Sequence, residues 1–462
     1  MTAEFTGEEI LEITSGRLAA GLMSDDEPGA ICTDTRAVKE GDWYLALSGE
    51  KFDGHNFLGA AFAAGAVGAI VAERPGYSIG NQQFPLIAVD DTLEAYHALA
   101  RNWRRRINPF VIGITGSSGK TTTKEMCACV FSSTMRCHKS AQNENNEFGV
   151  PRTILSMPDD TQVLIIEMAM RGLGQIDQLA RCALPEAAII TNAGTAHLEL
   201  LGSTDNIAKA KAEILKYLNA KRGYGVIGQA SDALLAACEA VFNGRLLVCG
   251  EYDINVTAVA SDKTTFAISG GDYQFELKAH GRPLLEDAWC VITVAREKGL
   301  PDQVIADGLR AFEPVGGRGN RLVSDTGALV LDETYNGNPD SVKASVGALL
   351  DPLAFPQPSK IVVLGELAEL GSTEAELHRE LGVWLRDKGI TTLITVGHLA
   401  RHIAEGAQGA SFEVLPCIDQ AEAEQELRKR LQSESCVLIK GSRRANLDKL
   451  VAKLVASARA GH

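Results

Sequence analysis

Residues 115–121 are Thr115-Gly116-Ser117-Ser118-Gly119-Lys120-Thr121. They follow an apolar run, Phe110 to Ile114, that predicts a buried strand, and they precede Thr122 and a stretch typical of the opening of a helix. A strand, a glycine-rich turn and a helix form the context that a phosphate-binding loop requires. Glycines let the backbone N–H groups approach the phosphates, and the helix N-terminus adds positive potential.

Lys120 and Thr121 predict the chemistry of this loop. In such loops the lysine bridges the β- and γ-phosphates of a nucleotide, and the hydroxyl holds Mg²⁺. The general pattern has a glycine five positions before Gly119, where this chain has Ile114, so the loop is a variant of that pattern. The alternative is a Gly/Ser turn without a ligand, but the strand, the turn, the Lys-Thr pair and the helix all agree on a phosphate site.

Composition excludes several classes of protein. The chain has 462 residues, enough for about two to four domains, and a net charge of −14 that disfavours a nucleic-acid partner. No apolar run approaches the roughly 20 residues that cross a bilayer, and the first residues are acidic where a signal peptide is basic. We therefore expect no membrane insertion and a cytoplasmic location. The ten cysteines include no Cys-x-x-Cys pair, which argues against a structural zinc site or a redox dithiol.

The order of apolar and helical stretches predicts an α/β protein of three domains. Residues 108–317 alternate strand-like runs with helical stretches, which is typical of a mostly parallel sheet covered by helices on both faces. Within them, residues 244–280 predict an antiparallel excursion. Residues 318–462 predict a doubly wound, Rossmann-like domain. Residues 1–107 predict a small α/β domain that ends in a linker at 101–109.

Polar residues follow two of the predicted central strands. Glu167 ends the apolar run 163–166, where a parallel sheet can place a Mg²⁺ ligand, although a solvated glutamate is the alternative. Asn192 and His197 follow another apolar run, so we expect them at the same edge of the sheet. A histidine on a loop at that edge favours a metal or phosphate role.

Two lysines lie on a helix whose predicted cap is Ser203, Thr204 or Asp205. Lys209 and Lys211 are two positions apart, so they cannot share a face of the helix. Composition alone predicts that both lysines are solvated.

The last domain has a dense polar loop after a strand, and this loop contains Glu333 and Asn336. Arg318 and Arg321 lie just upstream, near the presumed hinge. An arginine at a domain junction can act as a movable clamp on phosphates, and a surface salt bridge is the alternative for each.

Together these motifs resemble the Mur ligase family, the cytoplasmic synthetases of peptidoglycan precursors. The resemblance spans nearly the whole chain, and it is carried by residues 113–125, 145–151, 196–199, 210–214 and 335–339. It implies three domains: a UDP-substrate domain, a central ATP-binding domain and a C-terminal α/β domain that closes over ATP. Their bounds would be 1–107, 108–317 and 318–462. Two N-terminal motifs resemble UDP-sugar-binding motifs of the family, and their residues are Asp34, Thr35, Arg36, Asp53, Gly54 and His55.

The resemblance also implies roles for site residues. Thr121 and Glu167 would hold one Mg²⁺, and His197 and Lys211 would serve a second, with Lys211 carbamylated by CO₂. Carbamylation needs a neutral amine first, so the site must lower the pKa of that lysine. Lys120, His197 and Lys211 would be catalytic. The implied ATP contacts are Thr115, Gly116, Ser117, Ser118, Gly119, Lys120, Thr121, Thr122, Asp287, Arg321, Glu333 and Asn336.

The chain departs from the family pattern at three places. Residues 282–288 replace the usual His-Asn-x-x-Asn-Ala, so we expect Asp287 to take the place of the asparagine that meets adenine. Glu333 and Gly337 replace an aspartate and an alanine, and residues 365–371 replace a more usual Gly-Asp-Met. None of these changes removes a phosphate or metal ligand.

The implied activity is amide formation driven by ATP. A substrate carboxylate becomes an acyl phosphate, which an amine then attacks. The resemblance is strongest to the member of the family that joins D-alanyl-D-alanine to UDP-N-acetylmuramoyl-tripeptide. We expect the protein to be a monomer without a nucleic-acid partner. Two alternatives remain: a related ligase that adds a single amino acid, or glutamates to folate, and a non-enzymatic ATP-binding module that regulates a partner.

Overall fold

The structure is a computed structural model that describes residues 2–23, 27–49, 52–73, 84–141, 143–195, 198–250, 253–260, 262–271 and 273–459. His197, to which the sequence assigns catalytic and metal-binding roles, lies outside the described residues. The described chain forms three six-stranded sheets, which lie within residues 4–89, 110–248 and 320–440. The α/β class with three sheet-containing units is confirmed, whereas domain boundaries at 107/108 and 317/318 stay a prediction.

The central sheet is parallel throughout and has the strand order β10-β11-β9-β12-β13-β14. Its strands are β9 (Phe110–Thr115), β10 (Cys137–Lys139), β11 (Val163–Glu167), β12 (Ala187–Asn192), β13 (Tyr224–Gln229) and β14 (Arg245–Val248). Its helices are α4 (Lys120–Ser132), α5 (Gly149–Leu155), α6 (Gln175–Ala183), α7 (Leu198–Leu201), α8 (Thr204–Ala212), α9 (Asp232–Val241), α10 (Arg282–Glu297) and α11 (Asp302–Ala311).

Helices cover both faces of this sheet because its strands are apolar on both sides. In β9, Val111 belongs to one hydrophobic core, while Ile112 and Ile114 belong to the other. This alternation follows from the two-residue period of a strand. Since the strands are parallel, their carboxyl ends meet at one edge, and β9, β11 and β12 are neighbours there.

The antiparallel excursion is shorter than the sequence predicts. A three-stranded antiparallel sheet consists of β15 (Ile254–Val259), β16 (Thr264–Ile268) and β17 (Gln274–Leu277). The expected start at residue 244 is wrong, because β14 pairs in parallel with β13 and extends the central sheet. The short run of β14 carries no local signal that distinguishes a parallel edge strand from a hairpin strand.

The N-terminal sheet mixes parallel and antiparallel pairs in the order β1-β3-β4-β7-β8-β2. Its strands are β1 (Glu4–Phe5), β2 (Arg17–Ala20), β3 (Gly29–Cys32), β4 (Trp43–Leu45), β7 (Gly68–Ala72) and β8 (Leu86–Val89), and a separate hairpin joins β5 (Ser48–Gly49) to β6 (Phe52–Asp53). The helices of this unit are α1 (Gly7–Thr14), α2 (Leu58–Ala63) and α3 (Thr92–Ile107).

The linker predicted at 101–109 is wrong, because α3 continues to Ile107 and packs against the central unit. Trp103 and Arg104 are buried, and Asn108 ends the helix in a left-handed conformation. The four arginines within residues 101–106 are typical of an exposed helix end. Here Arg104 instead donates to the carbonyl oxygens of Ala183 and Leu184 and to Glu186, across the junction.

The C-terminal sheet has the order β18-β19-β23-β20-β21-β22, and only its β18–β19 pair is antiparallel. Its strands are β18 (Asn320–Val323), β19 (Leu329–Glu333), β20 (Ser359–Gly365), β21 (Thr392–Val396), β22 (Glu413–Cys417) and β23 (Ser435–Lys440). Its helices are α12 (Pro339–Leu349), α13 (Glu374–Leu385), α14 (Arg401–Gly406), α15 (Gln420–Arg428) and α16 (Asp448–Arg459). Separate cores lie on the two faces of the sheet, which confirms the doubly wound prediction.

In the part of the chain described above, no helix is both long enough and apolar enough to cross a bilayer.

We predict that Arg104→Ala destabilises the junction between the first two units. The change leaves the buried carbonyls of Ala183 and Leu184 without their arginine donor, and it should lower the free energy of unfolding by about 2–3 kcal/mol. Urea denaturation followed by tryptophan fluorescence measures the effect, with the exposed neighbour Arg105→Ala as the matched control. Equal midpoints for the two variants would contradict the assigned role of Arg104.

Candidate active site

The glycine-rich loop between β9 and α4 has the geometry of a phosphate-binding loop. α4 begins at Lys120, and its cap Gly119 has a left-handed φ of 81°. A Cβ on Gly119 would lie 2.5 Å from Asp287 Oδ1, and one on Gly116 would lie 1.8 Å from Thr191 Oγ1. Side chains are therefore excluded at both glycines, so only glycine fits the loop at these two positions.

The end of β12 fixes the middle of this loop. The backbone N–H of Ser118 donates to Asn192 Oδ1 at 3.1 Å, and Asn192 Nδ2 donates to Ser118 Oγ at 3.0 Å. The backbone N–H of Ser117 donates to the carbonyl oxygen of Asn192 at 3.2 Å. The structure thus brings Asn192 to the phosphate loop, as its position after a central strand predicts.

Glu167 lies at the end of β11, buried against the first turn of α4. The hydroxyl of Thr121 donates to Glu167 Oε2 at 2.8 Å, and Asn145 Nδ2 donates to Glu167 Oε1 at 2.9 Å. The ammonium of Lys124 is 3.7 Å from Oε2. Burial alone raises the pKa of Glu167, but Lys120, Asn145 and Lys124 outweigh it and hold the pKa below its usual value.

An ionised buried carboxylate beside a hydroxyl is a hard oxygen pair that suits Mg²⁺. In the described ranges, no three His, Cys, Asp or Glu side chains gather as a metal-binding group. The donor set of Thr121 and Glu167 therefore fits an ion that takes its other ligands from water and phosphate. Sequence reasoning did not assign Asn145 or Lys124 to the site, although both lie in motifs that carry the family resemblance.

Lys120 lies over the loop, and its Nζ donates to the carbonyl oxygen of Gly116 at 2.8 Å. Burial lowers the pKa of the Lys120 amine, Glu167 opposes the shift, and the charge of Arg318 lowers it further. The C-terminal unit thus brings an arginine into the electrostatic environment of the loop. The sequence leaves two roles open for Arg318, a clamp on phosphates or a surface salt bridge. In the structure, the Arg318 guanidinium carbon lies 3.8 Å from the ring centroid of Tyr335.

Lys209 and Lys211 have opposite environments on α8. Lys209 is exposed, whereas Lys211 is only 1% exposed, so the composition-based expectation is wrong for Lys211. Burial, and then the charge of Lys120, hold the pKa of Lys211 well below its usual value. This buried, readily neutral amine fits the requirement for carbamylation. Of the three possible caps, Ser203 caps α8 and accepts from the N–H of Asn206 at 3.2 Å.

Asp287 lies in the second turn of α10, buried directly behind Gly119. Burial, supported by the charge of Glu286, raises the pKa of Asp287 to about 8. Its side chain therefore touches the phosphate loop. The adenine contact expected of it stays a prediction.

The C-terminal residues predicted to meet the nucleotide lie in two places. Glu333 ends β19, and its Oε2 accepts from Lys440 Nζ at 2.8 Å and from Ser345 Oγ at 2.8 Å. The carbonyl oxygen of Asn336 accepts from the same lysine at 3.3 Å. Arg321 lies elsewhere, with its guanidinium 4.8 Å from the ring centroid of Phe355. The nucleotide roles of these residues stay predictions.

The two N-terminal motifs flank Tyr44. Gly54 accepts from the Tyr44 hydroxyl at 3.0 Å, and burial, together with the charges of Asp34 and Asp53 among others, raises the pKa of this tyrosine to about 12. His55 Nε2 accepts from the N–H of Ala72 at 2.8 Å, so the proton lies on Nδ1, which donates to Asp53 at 2.6 Å.

The other N-terminal motif is an exposed turn after β3. The Arg36 guanidinium donates two hydrogen bonds to the carboxylate of Asp34 and lowers the pKa of that carboxyl to about 2. Thr35 lies between the two residues in the chain. The structure thus places Asp34, Asp53 and Gly54 near Tyr44, whereas the Arg36 side chain is exposed. Their substrate contacts stay predictions.

Comparisons with known proteins agree with this arrangement. Family models described as "Mur ligase family, catalytic domain", "Mur ligase middle domain" and "Mur ligase, glutamate ligase domain" match residues 29–104, 114–295 and 317–443. The chain is 33% identical over 461 residues to the UDP-N-acetylmuramoyl-tripeptide–D-alanyl-D-alanine ligase of Bacillus subtilis, covering 98% of each chain. It is 36% identical over 440 residues to the ligase of the same name from Synechocystis, covering 94% of each.

Solved structures show the same similarity. A crystal structure of MurF from Acinetobacter baumannii has a TM-score of 0.89 at 29% identity and covers 98% of this chain and 99% of that one. MurF ligase from Thermotoga maritima in complex with ADP has a TM-score of 0.82 at 27% identity and covers 94% of this chain and 99% of that one.

We predict that Asp287→Asn removes a pH dependence of stability. Folding raises the pKa of Asp287 from 3.8 to about 8, so its contribution is complete below the unfolded pKa and is lost as pH rises to about 8. The melting temperature of Asp287→Asn relative to wild type should therefore increase between pH 5 and pH 8.5. Scanning calorimetry measures it, and Asp232→Asn, an exposed aspartate in the first turn of α9, is the control. A difference that stays constant with pH would contradict the buried protonated state.

Proposed function

This chain belongs to the Mur ligase family, and we propose that it uses ATP to join D-alanyl-D-alanine to UDP-N-acetylmuramoyl-tripeptide. The observation that carries the proposal is the match, over nearly the full length of both chains, to curated ligases of that name. The site supports it, because a phosphate loop and an ionised buried glutamate lie at one edge of the central sheet, and the charge of Lys120 reaches a buried lysine whose pKa is strongly lowered. The product would be a peptidoglycan precursor, and a monomeric, cytoplasmic enzyme stays the expectation.

The phosphate loop would bind and polarise the triphosphate. The N-terminus of α4 offers positive potential, and the Lys120 side chain adds a charge. Thr121 and Glu167 would hold Mg²⁺, which supplies neutralisation of the charge on the transferring phosphoryl group. Because Asp287 is protonated up to a pH of about 8, it adds no negative charge behind the loop at neutral pH.

The reaction would proceed in two steps. A carboxylate oxygen of the tripeptide attacks the γ-phosphorus, and ADP leaves, which gives an acyl phosphate. The amine of D-alanyl-D-alanine then attacks the acyl carbon, inorganic phosphate leaves, and the amine releases a proton. Closure of the C-terminal unit would exclude water from the acyl phosphate.

Lys211 would act as a carbamate rather than as a cation. Burial and a lowered pKa favour the neutral amine, which can add CO₂ and release a proton to give an anionic oxygen ligand. His197 would be its partner at a second Mg²⁺. The assignment of a carbamate to Lys211 rests on the burial of this side chain and on its lowered pKa. A charged ammonium in that place would repel both the metal and Lys120.

Release of phosphate from ATP tests the function directly. We expect phosphate release with UDP-N-acetylmuramoyl-tripeptide that rises strongly when D-alanyl-D-alanine is added, with a new amide product by mass spectrometry. Glutamate or lysine in place of the dipeptide should give no product. Ligation of glutamate or lysine instead would favour the related-ligase alternative, and no substrate-dependent release would favour a non-enzymatic ATP-binding module.

We predict that Lys211→Ala abolishes ligation whereas Lys209→Ala does not. Loss of an anionic metal ligand should lower kcat by at least about a hundredfold. The exposed Lys209 on the same helix is the matched control. Protein equilibrated with ¹³C-labelled bicarbonate should show a carbamate carbon resonance that Lys211→Ala lacks. An active Lys211→Ala variant would sink the assigned role.

A further inference from the structure

The loop that follows β19 and opens α12 touches the central unit at two separated points. The backbone N–H and the hydroxyl of Thr195 donate to Asp340 Oδ2 at 3.1 Å and 2.9 Å. The hydroxyl of Tyr335 donates to Asn143 Oδ1. Residues 335–340 are called the docking segment below.

Both contact points belong to loops that hold the nucleotide site. Thr195 follows β12, and the neighbouring carbonyl oxygen of Gly194 accepts from Ser117 Oγ of the phosphate loop at 3.3 Å. Asn143 lies two residues before Asn145, whose side chain donates to Glu167 at 2.9 Å. The docking segment therefore contacts the supports of the phosphate loop on one side and of the proposed metal ligand on the other.

The docking segment is held rigidly within its own unit. Asn338 caps α12 by accepting from the N–H of Ser341 at 2.8 Å, and Pro339 follows at the first helical position. Arg318 lies 3.8 Å over the ring of Tyr335, and Lys440 binds the carbonyl oxygen of Asn336. Because the segment is fixed at several places, its two ends move together with the C-terminal unit.

The negative charge of Asp340 strengthens its contact with Thr195. Asp340 is exposed, and its carboxylate lies so close to the phosphate-loop support that a Cβ on Gly194 would be 3.1 Å from Oδ2. Two donors of Thr195 converge on that one oxygen. Hydrogen bonds to a carboxylate are stronger than neutral ones, so this pair can hold a domain contact that solvent otherwise weakens.

We propose that Asp340 and Tyr335 are positioning residues that dock the C-terminal unit onto the two loops that support the phosphate loop and Glu167, for the ligation reaction. The inference rests on the proposed function. It differs from a purely structural role, because the contacts join two units rather than stabilise either one. Loss of the contacts should therefore slow the chemical step while the fold of each unit stays intact.

Variants at the first contact test the role of Asp340. Asp340→Ala should lower kcat about fivefold and leave the KM for the UDP substrate unchanged, because the predicted contacts of that substrate lie in the N-terminal unit. Asp340→Asn keeps an acceptor oxygen and should stay within about twofold of wild type. Thr195→Val should lower kcat on its own but not in the Asp340→Ala background. Additive effects of the two changes would overturn the contact, and so would wild-type kcat in Asp340→Ala.

The second contact is tested by Tyr335→Phe, which removes the hydroxyl and keeps the ring under Arg318. Combined with Asp340→Ala, it should lower kcat about tenfold or more, without a change in melting temperature beyond that of the control Lys343→Ala on α12. Small-angle X-ray scattering with a non-hydrolysable ATP analogue and the UDP substrate should show compaction of wild type and less compaction of the double variant.

These experiments separate the two proposals. A wild type that ligates normally, together with a double variant of equal kcat and equal compaction, overturns the docking role and leaves the proposed function standing. A wild type that compacts with the ATP analogue but ligates no D-alanyl-D-alanine overturns the proposed function. In that case reduced compaction of the double variant still supports the docking role.

Discussion

The hydrogen bond between the Thr121 hydroxyl and the buried Glu167 carboxylate is the interaction on which the site depends. It joins the first turn of α4 to the end of β11, so the helix that follows the phosphate loop is fixed relative to the sheet. A buried carboxylate is stable in its ionised form only with compensating donors and cations, and Asn145, Lys124 and Lys120 supply them. The cluster is therefore a preformed charge pattern rather than one that assembles when nucleotide binds.

The three units are joined in two different ways. The N-terminal and central units share one hydrophobic core, and the buried Arg104 satisfies carbonyl groups across their junction. The C-terminal unit meets the central unit through exposed side chains such as Asp340 and also through a buried ring contact between His280 and Phe355. Exposed contacts contribute little to stability and exchange readily with water. The exposed part of the second junction is thus better suited to open and close than the buried first junction.

The sequence predicted the parts of the fold and site that local chemistry determines. The loop around Gly119, the strand ending at Glu167 and the parallel sheet follow from turn chemistry and apolar periodicity. Burial could not be predicted in this way. Composition predicts that Lys211 is solvated and that the arginine-rich end of α3 is exposed, which holds for Arg105 but not for Arg104. The carbonyl groups that Arg104 satisfies lie far away in the chain.

Contacts across units were also beyond the sequence. Asp340 and Thr195 are separated by 145 positions, and no periodicity or motif pairs them. The resemblance to a family did distinguish Lys211 from Lys209, because such a comparison carries information about tertiary environment that a single chain lacks. Asp287 shows what the resemblance alone does not give. The family pattern predicts a contact with adenine for this residue, and the structure adds a neighbour that the pattern did not indicate, the phosphate loop.

Burial of Asp287 removes a negative charge from the region behind the phosphate loop, and this helps a net acidic protein to receive a polyanion. Ionised Asp287 would place a negative charge directly behind Gly119, and burial instead keeps this carboxyl protonated up to a pH of about 8. Burial, and then the charge of Lys120, hold the pKa of Lys211 well below its usual value. Lys120, Arg318 and the start of α4 supply positive potential at the loop, and Glu167 is the ionised carboxylate beside it, whose charge a divalent ion would neutralise.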